Sequence, residues 1–203
     1  MPTQVLYSLM LGGVFDRHPE LHFSLTEVRA DWVPATLELL DRRFDAGDTS
    51  LRKRPSEYWQ TNCWAGTSSI KRSEVRLRDR IGIDRMMFGR DYPHTEGTWP
   101  NTWDWLRDAF VGVPEPEIRG LLGQNAVECY RLDEAGLQSV ADRLGPRPED
   151  IMRNSSVVDA RIVENFDQRG GYGQSYEIVD APKIEALFDQ DLAAARLAAA
   201  PTD

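Results

Sequence analysis

Hydrophobic positions in the first 150 residues alternate between two periods. Three short apolar or alternating runs predict β-strands, and they lie at residues 21–28, 62–69 and 85–91. Three segments with helical spacing follow these runs, at residues 31–45, 71–82 and 101–112. Strands joined by connections of this length must pair in parallel, because a parallel pair needs a crossover. The pattern therefore predicts an α/β fold with a parallel sheet.

Other signals refine the first part of this pattern. Residues 3–17 predict an amphipathic helix, and we attribute Gly12 and Gly13 to close packing against a neighbouring element. The segment has no basic region before its apolar run, so we expect it not to be a signal peptide. Asp31 stands where the N-cap of helix 31–45 is expected.

The regular hydrophobic pattern of the chain ends near residue 146. We predict one domain over residues 1–150 and an irregular tail over residues 151–203. The tail contains a glycine-rich loop at 168–176 and an alanine-rich terminal helix at 181–200.

Charge excludes several classes of partner. The chain has 24 Lys and Arg against 33 Asp and Glu, a net charge of −9. Phosphate binding needs a basic face, so we expect no nucleic-acid partner, and acidity also disfavours an anionic membrane surface. No apolar run approaches the ~20 residues that cross a bilayer.

Cys63 and Cys129 predict free thiols in a reducing cytoplasm.

The richest cluster of reactive side chains lies at residues 89–101. Asp91, His94 and Glu96 occur within six residues, directly after an apolar strand. Functional groups gather at the carboxyl ends of parallel strands, where a carboxylate can bind a divalent metal or take a proton. In the alternative interpretation, Asp91 caps a turn before Pro93 and the other two side chains are solvated.

Glu27 ends the first predicted strand in the same way. We interpret it either as a catalytic or supporting acid, or as an exposed charge before the next helix. Arg29 pairs with Glu27 or with an anionic substrate, and we predict that Arg29 and His94 bind substrate. His18 and His22 flank a strand's amino end, which favours loop or edge positions over metal ligation.

Five segments carry a family resemblance, and they are GGVFDRHPELHFSLTE (12–27), RADWVPATLELLDRRFD (29–45), RPSEYWQTNCW (54–64), IGIDRMMFGRDYPHTEGTWPN (81–101) and LLGQNAVECYRLD (121–133). In this order they resemble the carboxyl-terminal half of metal-dependent amidohydrolase-related proteins. The nearest branch is the aminocarboxymuconate-semialdehyde-decarboxylase type. The most specific piece is the stretch FGxDYPHxEGTWP.

The resemblance implies a (β/α)8 TIM barrel, of which this chain would hold strands six to eight and their helices. It also implies a single divalent metal, usually zinc, that serves hydrolysis or nonoxidative decarboxylation of a small organic acid or aromatic substrate. Asp91 matches the family's aspartate after the eighth strand, which is a metal ligand and a proton-transfer residue. We therefore predict Asp91 as metal ligand and catalytic residue, with Glu27 as a second catalytic residue.

The chain departs from the family at several positions. The HxH pair of the first strand and the histidine of the fifth strand are absent. Glu27 stands where decarboxylase-type members place a histidine, and Arg29 stands where small glycines are common. Zinc needs about three protein ligands, so we expect the metal in a completed enzyme and little tight metal binding by this chain alone.

A three-stranded piece of a barrel leaves two sheet edges without neighbours. A complementary barrel half, a homo-oligomer that shares a sheet, coverage by the tail, or a truncated gene product would each account for this. Two functions follow from these alternatives. The chain is part of an amidohydrolase-class enzyme whose missing ligands come from elsewhere, or it is a noncatalytic remnant or assembly subunit.

Overall fold

A computed structural model describes residues 2–94, 97–152, 159, 160, 164 and 189. The chain divides into two compact units. The first unit comprises residues 1–23, 32–63 and 176–203, and the second comprises residues 24–31 and 64–175. The predicted division at residue 150 is untested and stays a prediction. The predicted loop at 168–176 lies outside the described residues, as does all of the predicted helix at 181–200 except residue 189.

The described part of the first unit is helical. Its helices are α1 (Pro2–Leu11), α2 (Val14–Arg17), α3 (Val33–Asp45) and α4 (Pro55–Asn62). Their apolar faces form a core because buried aliphatic and aromatic side chains recur at helical spacing. The most deeply buried members of this core are Leu6, Tyr7, Met10, Val33, Leu40 and Trp59.

Two expectations about helix boundaries in this region were wrong. The helix predicted over 3–17 breaks at Gly13, whose φ of 65° is left-handed, so the glycines divide the helix and do not serve close packing with another element. Helix α3 begins with Trp32 at its N-cap. Asp31 does not cap this helix, because its carboxylate is bound by the Arg29 guanidinium.

Buried polar contacts join the loops of the first unit to its helices. The Asn62 side-chain amide donates to the carbonyls of Pro19 and Leu21, both at 2.9 Å. The Tyr58 hydroxyl donates to the Asp16 carboxylate. Burial and this contact with Asp16 raise the pKa of Tyr58 to about 12, so the phenol stays protonated at neutral pH.

The second unit holds the sheet, apart from Phe23 and Cys63, which are the first residues of two strands. Its strands are β1 (Phe23–Thr26), β2 (Cys63–Ser68) and β3 (Met86–Gly89), in the spatial order β1-β2-β3. Strands β2 and β3 are parallel, with Ala65 opposite Met86 and Ser68 opposite Gly89. Each strand lies inside one of the three segments predicted from the hydrophobic pattern. The α/β class and the parallel sheet are confirmed.

The described part of the second unit also contains helices. They are α5 (Arg72–Arg76), α6 (Arg78–Ile81), α7 (Thr102–Ala109), α8 (Glu115–Arg119), α9 (Asn125–Tyr130), α10 (Glu134–Leu144) and α11 (Pro148–Met152). A 3₁₀ turn, Ile83–Arg85, leads into β3, and a π-helical turn, Gly120–Gln124, joins α8 to α9. None of the α10 residues is buried, and the hydrophobic pattern did not predict this helix. Among the described residues, no helix is both long and apolar enough to cross a bilayer.

Helix α9 supports the sheet at the amino end of β3. The Asn125 side-chain amide donates to the carbonyls of Ile83 at 2.8 Å and Met86 at 2.7 Å. Cys129 packs in a buried cluster with Trp64 of β2 and Met87 of β3. These contacts fix the amino end of β3 and do not involve the residues at its carboxyl end.

Candidate active site at the carboxyl edge of the sheet

The carboxyl ends of all three strands share an unusual backbone geometry. Glu27, Ser69 and Asp91 follow β1, β2 and β3, and their φ angles are 53°, 57° and 56°. Among the described residues, Arg131 after α9 is the only other non-glycine residue with a left-handed φ. A left-handed residue with a side chain costs on the order of 1–3 kcal/mol, and such residues cluster at functional sites. This edge is therefore the candidate active site.

Asp91 sits in a tight loop that follows β3. The His94 amide donates to the Asp91 carbonyl at 3.0 Å, and the Gly97 amide donates to the His94 carbonyl at 3.1 Å. A Cβ on Gly97 would lie 2.5 Å from the Asp91 carbonyl oxygen, so only glycine fits there. The loop holds the Asp91 side chain with only 10% of its surface exposed.

Asp91 and His94, both predicted from the sequence, come together as a pair. The Nδ1 atom of His94 lies 2.8 Å from Oδ1 of Asp91, and the imidazole is largely exposed. A carboxylate in this position orients the imidazole and selects its tautomer. The pair can hold or pass a proton at the edge of the sheet. Glu96 lies outside the described residues.

An exposed aromatic pair flanks Asp91. Tyr92 and Trp99 are 64% and 57% exposed, and their rings meet edge to face with centroids 6.1 Å apart. The Arg90 guanidinium lies 5.3 Å from the centre of the Tyr92 ring. Both aromatic residues precede cis prolines, Pro93 and Pro100. The loop thus presents apolar surface and a positive charge next to the buried carboxylate.

Ser69 is a candidate that the sequence interpretation missed. Its amide donates to the Gly89 carbonyl at 3.0 Å, which ties the end of β2 to the end of β3, and the residue is buried. Neighbouring Thr67 donates its hydroxyl to the Met87 carbonyl at 3.0 Å. The hydrophobic pattern has no signal for a left-handed serine, since serine at a strand end is common.

After β1, the acidic Glu27 is exposed and the cationic Arg29 is buried. Glu27 is exposed to solvent, one position beyond Thr26. The Arg29 guanidinium is buried and binds both carboxylate oxygens of Asp31, with its shortest contact at 2.5 Å. Arg29 therefore lies in an internal ion pair. Its predicted contact with substrate is untested and stays a prediction.

Glu74 is a second residue that the sequence interpretation missed. Its carboxylate accepts the Ala30 amide at 2.7 Å and the Lys71 amide at 3.0 Å, and only 1% of the residue is exposed. Burial raises the pKa of the Glu74 carboxyl to about 7, while the charge of Arg29 and the two amides oppose this rise. The group is therefore poised to change charge near neutral pH.

The described residues do not fit a complete metal site by themselves. Among them, no three His, Cys, Asp or Glu side chains converge on one point. Protein zinc sites use at least three such ligands, and the edge of the sheet pairs two, Asp91 and His94.

A parallel α/β unit with acidic side chains at the carboxyl edge of its sheet belongs to the architectures that place active sites at this edge. A family model described as amidohydrolase matches residues 1–132. The chain belongs to the amidohydrolase family, which confirms the resemblance at the level of the family, while the predicted decarboxylase-type branch stays a prediction.

One solved structure supports the same kinship. It is a crystal structure of an amidohydrolase from Mycobacterium avium subsp. paratuberculosis K-10, with a TM-score of 0.54 and 26% sequence identity. The match covers 61% of this chain and 32% of that chain, so it spans about a third of the longer protein. No curated protein matches this chain.

Proposed function

We propose that this chain supplies the carboxyl-terminal part of an amidohydrolase-type barrel, with β1, β2 and β3 as its sixth, seventh and eighth strands. The observation that carries the proposal is the row of left-handed residues Glu27, Ser69 and Asp91 at the three strand ends. Barrel enzymes place catalytic groups at this edge. The reaction is hydrolysis or nonoxidative decarboxylation, as in the aminocarboxymuconate-semialdehyde-decarboxylase branch.

Asp91 is the central residue of the proposed site. Its side chain is largely withdrawn from solvent, and the adjacent His94 imidazole can exchange a proton with bulk water. Asp91 would also serve as one ligand of a divalent metal, whose other ligands are not among the described residues. Glu27 would act as a second acid, about two strand spacings or roughly 10 Å away across the sheet.

The surroundings of Asp91 favour a small aromatic or acidic substrate. Tyr92 and Trp99 offer exposed ring faces, and Arg90 adds a guanidinium beside them. Contact between Arg29 and a substrate carboxylate would require its ion pair with Asp31 to open. We therefore propose that His94, Tyr92 and Trp99 contact the substrate directly.

A second candidate is an assembly subunit without activity of its own. Strands β1 and β3 each have one neighbour in the described sheet. Edges of this kind pair readily with another chain. A complementary barrel half would use these edges in either candidate, so the edges alone do not separate the two functions. Activity that depends on Asp91 does.

Replacing Asp91 by Asn tests the proposal. The assay uses the protein purified from its native cell with any chain that accompanies it, and a small aromatic acid that the unsubstituted protein converts. We expect the turnover of this acid to fall about 10³-fold or more in the variant. The free energy of unfolding should change by less than about 1 kcal/mol, because the Asp91 side chain pairs with a histidine that is largely exposed.

Asp84→Asn is the matched control, since Asp84 precedes β3 at its amino end and its exposed carboxylate pairs with the buried Arg85 guanidinium. Its turnover should match the unsubstituted protein within about twofold. Full turnover in Asp91→Asn would refute the catalytic assignment. Absence of turnover on every substrate tried, in the unsubstituted protein, would favour the assembly subunit.

A further inference from the structure

The loop that follows β1 is bound to the first turn of α5, which follows β2. Glu74 joins the two segments through one carboxylate, because Oε1 accepts the Ala30 amide and Oε2 accepts the Lys71 amide. In the second bond, the side chain at the third helical position accepts the amide of the N-cap residue of α5, which is one half of a capping box. A single buried side chain thus holds the ends of two neighbouring strands together.

The Arg29 ion pair reinforces the same junction. Arg29 binds Asp31 through two nitrogens, and its Nη2 atom lies 3.4 Å from the Ser73 hydroxyl. Both ionic side chains are almost fully buried. Residues 29–31 are therefore fixed against α5 at several points, while Glu27 lies two positions before the first of them.

The left-handed backbone of Glu27 needs this external support. Glutamate has no intrinsic preference for positive φ, so surrounding contacts must over-determine the conformation. The next residue, Val28, is held to β2 by a long hydrogen bond, in which its amide donates to the Gly66 carbonyl at 3.4 Å. The stronger constraint comes from the junction with Glu74.

We propose that Glu74 is a positioning residue that fixes the loop of residues 28–31 and thereby holds Glu27 in its left-handed conformation at the edge of the sheet. This inference deepens the proposed function and rests on it for the catalytic meaning of Glu27. The conformational role itself does not depend on turnover. It makes the geometry of the edge sensitive to the charge of one internal carboxyl.

Burial of Glu74 sets the direction of this sensitivity, and the neighbouring charges modify it. Arg29 favours the ionised carboxyl, Asp31 disfavours it, and burial, which is the largest effect, disfavours it most. Opening of the loop hydrates the carboxyl and returns its pKa toward the ordinary value of 4.5. The open state therefore gains on the closed state as the pH rises through about 7.

Hydrogen exchange at the Ala30 amide, measured by NMR on the full 203-residue chain, tests the inference. We expect the protection factor of this amide to fall on the order of 50- to 100-fold between pH 5 and pH 8. Glu74→Gln should abolish this pH dependence, because glutamine does not titrate. Glu57→Gln should retain it, since Glu57 accepts the N-cap amide of α4 in the same way but is exposed.

Backbone chemical shifts of Glu27 distinguish a positioning role of Glu74 from a merely stabilising one, because a stabilising role would leave them unchanged. In Glu74→Gln they should leave left-handed values, and in Glu57→Gln they should stay unchanged. Unchanged Glu27 shifts in a folded Glu74→Gln protein would overturn the inference. So would a protection factor of Ala30 that is flat with pH in the unsubstituted protein, a measurement that needs no variant. Loss of the Asp91 effect on turnover would instead overturn only the proposed function.

Discussion

Asp31→Ala should lower the free energy of unfolding by about 3 to 5 kcal/mol. The substitution removes the carboxylate that binds the buried Arg29 guanidinium, and the cation stays in a site where water cannot replace the lost contact. Denaturant unfolding at neutral pH and constant ionic strength measures the loss.

A second ion pair of the same chemistry provides the control. Asp48 pairs with Arg43, and both side chains keep about a third of their surface in water. Asp48→Ala should therefore cost less than about 1 kcal/mol. Replacing Arg29 by Met together with Asp31→Ala should recover much of the loss, because no unpaired cation is then left inside. A loss below about 1 kcal/mol for Asp31→Ala would show that Arg29 finds solvent or another anion.

Glu74→Gln should remove a large pH dependence of stability. The pKa of Glu74 is about 7 in the folded chain against an ordinary value of 4.5. The folded state therefore binds more protons between these values, and the stability that Glu74 contributes is complete below pH 4.5 and is lost as the pH rises through 7. The shift corresponds to a loss of about 3 kcal/mol.

The measurement compares unfolding free energies of the unsubstituted protein, Glu74→Gln and Glu57→Gln at several pH values. The advantage of the unsubstituted protein over Glu74→Gln should shrink steadily from pH 4.5 to pH 8. Glu57→Gln should run parallel to the unsubstituted protein, because Glu57 is exposed. A constant difference across this range would mean that Glu74 does not titrate with folding.

The hydrophobic pattern was sufficient to predict the sheet. Short apolar runs bounded by polar residues identify strands, and helix-length connections require parallel pairing. The break at Gly13 was not predicted, because a glycine pair within a helical pattern fits close packing as well as a helix end. Asp31 was assigned to a cap for a similar reason, since a short acid before a helix serves caps and ion pairs alike.

The candidate site was predicted only in its local part. Asp91 and His94 are three residues apart, so a single turn brings them together. Glu74 is 44 residues from Ala30, and nothing in the surrounding charged segment distinguishes it from exposed residues. Ser69 was missed because a left-handed φ depends on what the following loop must reach. Burial of charge and backbone strain are tertiary properties, and neither has a period along the sequence.

The metal content of the protein purified from its native cell, with any accompanying chain, is the decisive measurement for Asp91. We expect a divalent metal that is retained in Asp84→Asn and lost in Asp91→Asn, with both variants equally folded. Retention of the full metal content in Asp91→Asn would show that the carboxyl end of β3 is not part of the metal centre.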